Sequence, residues 1–398
     1  MSAGAPPPGG RGAEIAGRDI VCVGFADWES ELWTNQQHLM SRLARRNRVL
    51  FVESLGLRRP QLAGRDLRRI ARRLRRGLAP PRQLDGVHVL SPLVLPFHGR
   101  ASARALNARL LPALVGRAAR RLGMSSPLLW GYVPQAEALL DALAPSSVVY
   151  HCVDDIAAQK GVDADGFRAA EQRFARRADL VLASAPALAE RMRALNDHVV
   201  YAPNVADTEL FAGALEPGPV DPAVQALPGP VIAFCGAVVA TKLDLELLVA
   251  LARLRPGWSF ALVGPVGVGD PSTDVSALRA EPNVHLLGSR PYAALPNVLR
   301  GAHATLIPYA LNELTRSIFP MKVYEYLAAG LPVVATPLPS LRDAPEIVFA
   351  ADAPAAAAAL DRALAQDGPE ARRRRSATAA GHSWEARLLE IGAALERT

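Results

Sequence analysis

Short apolar runs rich in Val, Ile and Leu alternate with helical stretches along most of this chain, and that alternation admits few architectures. In the first half the strand-like runs fall at 20–25, 48–52, 87–90, 128–130, 148–151, 180–183 and 199–201. Helical patterns fill most gaps, for example at 33–45, 103–122 and 167–177. Apolar strands separated by helices belong to parallel sheets covered on both faces. Residues 212–230, with five prolines and three glycines, break the rhythm and read as a linker or boundary. A second alternation follows, with strands at 231–235, 260–263, 284–287, 305–308 and 333–335 and helices at 243–254, 292–300 and 320–329. Residues 383–397 are helical again. A length of 398 residues suits two domains. The expected fold is therefore α/β, with two Rossmann-like doubly wound domains facing each other across a cleft. Ligands bind such sheets at the carboxyl ends of the strands.

Composition narrows the setting. No apolar run approaches the roughly 20 residues of a membrane span. The start, MSAGAPPPGGRGAEIAG, has no apolar core of a signal peptide and reads as a disordered tail over 1–17. Cys22, Cys152 and Cys235 are too scattered for a disulfide framework or a zinc site, so a reducing cytoplasm is expected. The net charge of +7 is concentrated: residues 57–82 hold ten arginines against the single acid Asp66. Within 65–78, Leu67, Ile70, Leu74 and Leu78 recur at helical spacing, with Arg65, Arg68, Arg69, Arg72, Arg73 and Arg76 on the other side. A basic amphipathic helix of this kind suits an anionic inner-leaflet surface. A second helix over 100–121 sets Leu106, Leu110, Leu111, Leu114 and Val115 against Arg104, Arg109, Arg117, Arg120 and Arg121. The bland reading of both is a solvated face in an arginine-rich chain. No aromatic platform or recognition motif accompanies the arginines, which argues against nucleic acid.

The chemistry concentrates in SIFPMKVYEYLAAGLPVVAT, residues 317–336. It reads as a loop, a short helix, a glycine stop and a buried strand. A helix N-terminus attracts phosphate, and Lys322 adds a full positive charge there. Glu325, three residues on, shares its face and can accept two hydrogen bonds from a ribose diol. The competing reading is a surface ion pair. Other strand ends lean toward the site reading. Gly236 closes one strand and leads to Lys242, and Gly264 closes the next. Ser289 and Arg290 follow a strand end suited to framing a flat base, and Tyr309 offers an aromatic. Ser317 and Met321 flank the helix start. These groups point to a nucleoside diphosphate.

In the first half, VVYHCVDD at 148–155 runs a strand into His151, Asp154 and Asp155. Either carboxylate is a candidate base for an acceptor hydroxyl, with His151 as helper or alternative. A like-charged neighbour raises one carboxylate's pKa. Asp155 also fits a helix cap. Asp27 and Trp28 follow the first strand, where Trp28 either stacks on a sugar ring or is structural. Asp163-Ala-Asp165 spells a metal-like DxD but stands at a helix start, so no metal or other cofactor is expected. The lysines can neutralise a leaving diphosphate instead.

Over roughly residues 200–350, with FPMKVYEYLAAGLPVVAT as its core, the chain resembles the donor-binding domain of group 1 glycosyltransferases of GT-B fold. The pattern is closest to the teichuronic-acid-type and glucuronosyltransferase-like branch. Tyr201-Ala-Pro-Asn204-Val-Ala-Asp207 with Phe211 is similar to the family's hinge, and the helix with Trp384 to its terminal helix. The resemblance implies that Lys242 and Lys322 contact the diphosphate, Glu325 holds the ribose and the Ser289–Arg290 region frames the base. It implies an acceptor domain over 18–205, a donor domain over 206–380 and a helix over 381–398 that crosses back. The first glutamate of many retaining members is Ser317 here, so retention of configuration is not implied. The expected activity is transfer of a hexosyl or glucuronosyl group from a UDP-sugar to a glycan or lipid-linked acceptor. Such an enzyme would work in cell-surface polysaccharide synthesis, as a peripheral protein on the inner face of the membrane. A nucleotide-sugar 2-epimerase and a non-catalytic, membrane-docked sugar-binding scaffold are the rivals.

Overall fold

A computed structural model describes residues 13–53, 80–92, 101–159 and 161–398. It contains two sheets. The first is built from β1 (Asp19–Val23), β2 (Arg48–Val52), β3 (Arg82–Leu84), β4 (Val87–Leu90), β5 (Leu128–Gly131), β6 (Ser147–Cys152), β7 (Leu180–Ala183) and β8 (Val199–Tyr201). Their order is β3-β4-β2-β1-β5-β6-β7-β8, parallel except where β3 meets β4. The second comprises β9 (Val231–Cys235), β10 (Ser259–Val263), β11 (Val284–Gly288), β12 (Ala304–Ile307), β13 (Val333–Ala335) and β14 (Ile347–Phe349). It runs β11-β10-β9-β12-β13-β14, with every pairing parallel.

Both sheets are covered on both faces, which explains why their strands read as unbroken apolar runs. In β1, Val21 and Val23 pack with Leu50, Leu129 and Phe174, while Ile20 and Cys22 pack with Phe51 and Trp130. Each sheet also has a point where the strand order reverses, between β1 and β5 and between β9 and β12. Crevices open at such switch points, outside the carboxyl ends.

The chain's end returns to the first sheet. Trp384, Ile391 and Leu395 of the helix Trp384–Leu395 share a buried cluster with Ile20 and Trp130. Arg42, on the helix Asn35–Leu43, binds Glu385 at 2.8 Å and Asp207 of the crossing segment at 2.6 Å. Residues 212–230 are not slack. Asp221 caps the short helix Pro222–Gln225 and pairs with Arg290, and Arg300 donates to the carbonyls of Gly213 and Glu216. The prolines there shape a packed edge of the second unit.

Arg65, Arg68, Arg69, Arg72, Arg73 and Arg76 lie outside the described residues. The second basic stretch is the helix Ala101–Arg121. Leu111 and Val115 are buried against the sheet, Arg109, Arg117, Arg120 and Arg121 face solvent, and Leu106 is 43% exposed. Among the described residues no helix is long and apolar enough to cross a membrane, and no cluster of three His, Cys, Asp or Glu side chains could hold a metal ion.

Candidate functional site

Strands β9 and β10 end in glycines that must be glycines. Gly236 has φ +148° and Gly264 φ +152°, both in territory closed to ordinary side chains. A Cβ on Gly264 would stand 2.0 Å from the Gly236 carbonyl oxygen. The bare backbone of these strand ends leaves a floor on which Lys322 rests, its Cε and Nζ 3.3 Å from where a Gly236 Cβ would be.

Lys322 opens the helix Lys322–Ala328. Its ammonium donates to the Tyr309 hydroxyl at 3.1 Å and lies 5.3 Å from the ring centres of both Phe234 and Tyr309. Burial works against its charge, but the Tyr309 oxygen and the Glu325 carboxylate outweigh that and raise its pKa. Burial would raise the Tyr309 phenol, yet Lys322 and Lys242 together lower it. Lys242 reaches the same field from the loop after β9, where its carbonyl accepts the Ala310 N–H at 2.9 Å. Tyr326 anchors the helix to β9 by accepting the Cys235 N–H at 2.7 Å.

Glu325 sits on the same helix and is only 6% exposed. Burial pushes its carboxyl up to about 7; the Lys322 charge and a hydrogen bond from Tyr292 restrain the rise, and Asp207 adds to it. The Tyr292 hydroxyl donates to Oε1 at 3.2 Å. Lys322 and Glu325 thus lie in the crevice at the β9/β12 switch point, not on an open helix face.

The first unit presents Asp154 to this crevice. Burial raises its pKa, the facing charge of Lys242 lowers it, and Asp155 raises it further. Asp155 is committed elsewhere: it accepts from Arg191 at 3.0 Å, with Arg168 at 3.9 Å. Arg191 also holds Glu171 at 3.3 Å, so Asp155 belongs to a structural ion network, and its side chain makes no cap hydrogen bond. His151 is corrected more sharply. It is 2% exposed, its ring stacked 4.8 Å from Tyr132, and burial drives its pKa down to about 3. Strand alternation turns it under the sheet, so it is a neutral core residue and not a helper base.

Trp28 is likewise structural. It is 1% exposed, its indole N–H bonds Asp85 at 2.9 Å and its ring packs on Phe51. No sugar can stack on it. Asp27 remains exposed on that loop, where its carbonyl accepts from Gln37. The Arg290 guanidinium is taken by Asp221, at 2.6 and 3.3 Å, leaving only backbone on this segment to meet a base. Ser289 donates to Glu31 of the first unit at 3.0 Å. Ser317 is buried and follows the helical turn Glu313–Arg316, whereas Met321 packs against the first unit's core.

Several residues that hold the units together carried no sequence signal. Asn204 accepts from Asn35 at 3.0 Å and donates to the Phe319 carbonyl at 2.8 Å, joining the first unit to the loop before Lys322. His38 lies 4.7 Å from the Tyr292 ring, and Arg168 reaches Glu313 at 3.7 Å. Asn204 and Phe319 lay in recognised patterns, but their contact did not show there.

Comparison with known proteins gives a match over part of the chain and a shared fold over nearly all of it. Residues 229–366 match the family of glycosyl transferases group 1. Over 224 residues the chain is 29% identical to TuaH of Bacillus subtilis strain 168, a glycosyltransferase assigned to teichuronic acid biosynthesis. That match takes in 53% of this chain and 56% of TuaH, so the chain spans little more than half of that relative's length. Sucrose-phosphate synthase from Thermosynechococcus elongatus superposes with a TM-score of 0.68, at 17% identity, over 96% of this chain and 98% of its own. Anabaena HepE in complex with UDP-glucose gives 0.64, also at 17% identity, over 96% and 100%. The two facing parallel sheets are the GT-B architecture.

Proposed function

We propose that this chain, a GT-B protein whose residues 229–366 form a glycosyl transferases group 1 domain, transfers a sugar from a nucleoside diphosphate to a hydroxyl of a glycan or lipid-linked acceptor. UDP is the nucleotide we assign, and cell-surface polysaccharide synthesis the setting, the first in keeping with HepE's ligand and the second with TuaH. One observation carries the reading: Lys322 and Glu325 are held together at the carboxyl end of the second sheet while Asp154 of the first unit lies in the field of Lys242 and Tyr309 beside them.

In this reading the bare strand ends at Gly236 and Gly264 let the diphosphate lie close to backbone. Lys322 and Lys242 meet its charge, which grows as the sugar leaves. Tyr309 keeps the Lys322 ammonium aimed at the site. Glu325 takes the ribose diol, and backbone around Ser289 lines the base. Asp154 takes the proton of the acceptor hydroxyl; its raised pKa favours that role. Asp155, fixed by Arg191, holds the Asp154 turn in place. No cofactor enters this scheme. We also place the enzyme on the inner face of the membrane, through the arginine-rich stretch within 57–82.

Lys322→Ala tests the donor site. Removing a charged hydrogen-bonding partner of the diphosphate weakens UDP binding about 10- to 100-fold. Calorimetry with UDP reads it, and circular dichroism checks the fold. Equal affinity in the folded variant would refute the assignment. A screen of UDP-sugars follows. Turnover that needs an acceptor supports transfer, whereas conversion of the donor alone marks a 2-epimerase. Sedimentation with anionic vesicles, reversed by salt, tests the membrane placement; no binding at low salt refutes it.

A further inference from the structure

Given that donor site, we infer that Tyr292 is a stand-in for the donor's hydroxyl: in the free protein its phenol occupies Glu325, and donor binding displaces it and so reaches the contact between the two domains. Tyr292 sits at the start of a single helical turn, Tyr292–Ala294, half-buried. Its hydroxyl donates to Glu325 Oε1 at 3.2 Å. A ribose diol that grips both carboxylate oxygens competes with this hydroxyl for Oε1.

The same side chain touches the rest of the hinge. The backbone of Asp207 faces the hydroxyl, and the Asp207 carboxylate is held by Arg42 of the first domain at 2.6 Å. The Tyr292 ring packs 5.4 Å from Phe211 and 4.7 Å from His38. His38 belongs to the first domain, is buried, and stacks on Trp384 of the returning helix at 5.1 Å with a 12° tilt. Its Nε2 makes no hydrogen bond, and its ring meets Tyr292 by packing. A shift of the phenol off Glu325 is therefore passed to His38 and Trp384, because packed rings move together. Tyr292 is a positioning residue: it acts on the donor through Glu325 and on the domains through His38.

Tyr292→Phe separates these roles, since it deletes the hydroxyl and keeps the ring. Calorimetry with UDP on the full chain compares wild type, Tyr292→Phe and Glu325→Gln. Losing one competing hydrogen bond should tighten UDP binding about three- to tenfold in Tyr292→Phe. Tryptophan emission gives a second readout. Saturating UDP should shift the emission of the wild type, and the shift should vanish in Trp384→Phe and shrink in Tyr292→Phe. Unchanged or weaker UDP binding by Tyr292→Phe, with wild type binding normally and Glu325→Gln impaired, overturns the stand-in and leaves the donor site intact. An emission shift that survives Trp384→Phe undiminished overturns the link to the domain contact. If wild type itself binds no UDP, the donor reading falls first.

Discussion

Glu325→Gln should make the protein more stable in mildly alkaline solution while making it a poorer nucleotide binder. Burial lifts the Glu325 carboxyl from its ordinary 4.5 to about 7, with Lys322 and Tyr292 opposing and Asp207 reinforcing the rise. Between those two values the folded protein keeps a proton that the unfolded chain has lost. Stability from this group is therefore intact below pH 4.5 and falls as pH rises toward 7. The gap corresponds to about 3 kcal/mol once Glu325 is fully ionised. Glutamine keeps the shape and the acceptor for Tyr292 but carries no charge, so the variant escapes that loss. For a domain of roughly 150–250 residues, ~2–4 °C per kcal/mol makes this a gain of ~6–12 °C in Tm above neutrality. Thermal unfolding of both proteins from pH 4 to pH 8 reads the effect: nearly equal Tm at the acid end, and a widening difference toward the alkaline end. UDP calorimetry at pH 8 supplies the other half, because replacing a charged acceptor by a neutral one costs about tenfold in affinity. A Tm difference that does not vary with pH would show that Glu325 is not held desolvated as described.

Two further variants separate chemistry from scaffolding. Asp154→Asn should lower sugar transfer about 100- to 10,000-fold with UDP affinity kept, since a general base is lost and the diphosphate contacts remain; steady-state rates beside calorimetry check it, and near-normal rates would remove Asp154 from the reaction. Trp28→Ala should cost about 3–5 kcal/mol, because the ring is enclosed and its loss leaves a cavity; chemical denaturation measures it, and full stability together with weakened acceptor binding would restore the sugar-stacking role.

The second half was the more legible part. Strand alternation located β9 to β13, and strand ends are where side chains can reach a crevice, so Lys322, Glu325, Gly236 and Gly264 emerged from local pattern alone. The same pattern contained the correction for His151: on a strand covered on both faces, the residue between Tyr150 and Cys152 must point into the opposite core. The pairing of Arg290 with Asp221 was not legible, because Asp221 lies in a proline-rich segment that looked like a linker. Strands β3 (Arg82–Leu84) and β14 (Ile347–Phe349) were not read from the sequence. The contacts of His38 with Tyr292, Asn204 with Phe319 and Ser289 with Glu31 were not legible at all. Each joins residues far apart in the chain, and each depends on how one finished domain docks on the other. Local spacing specifies which residues line each wall of the crevice; only the docking decides which of them meet across it, and that is where Tyr292 acquires its place on Glu325.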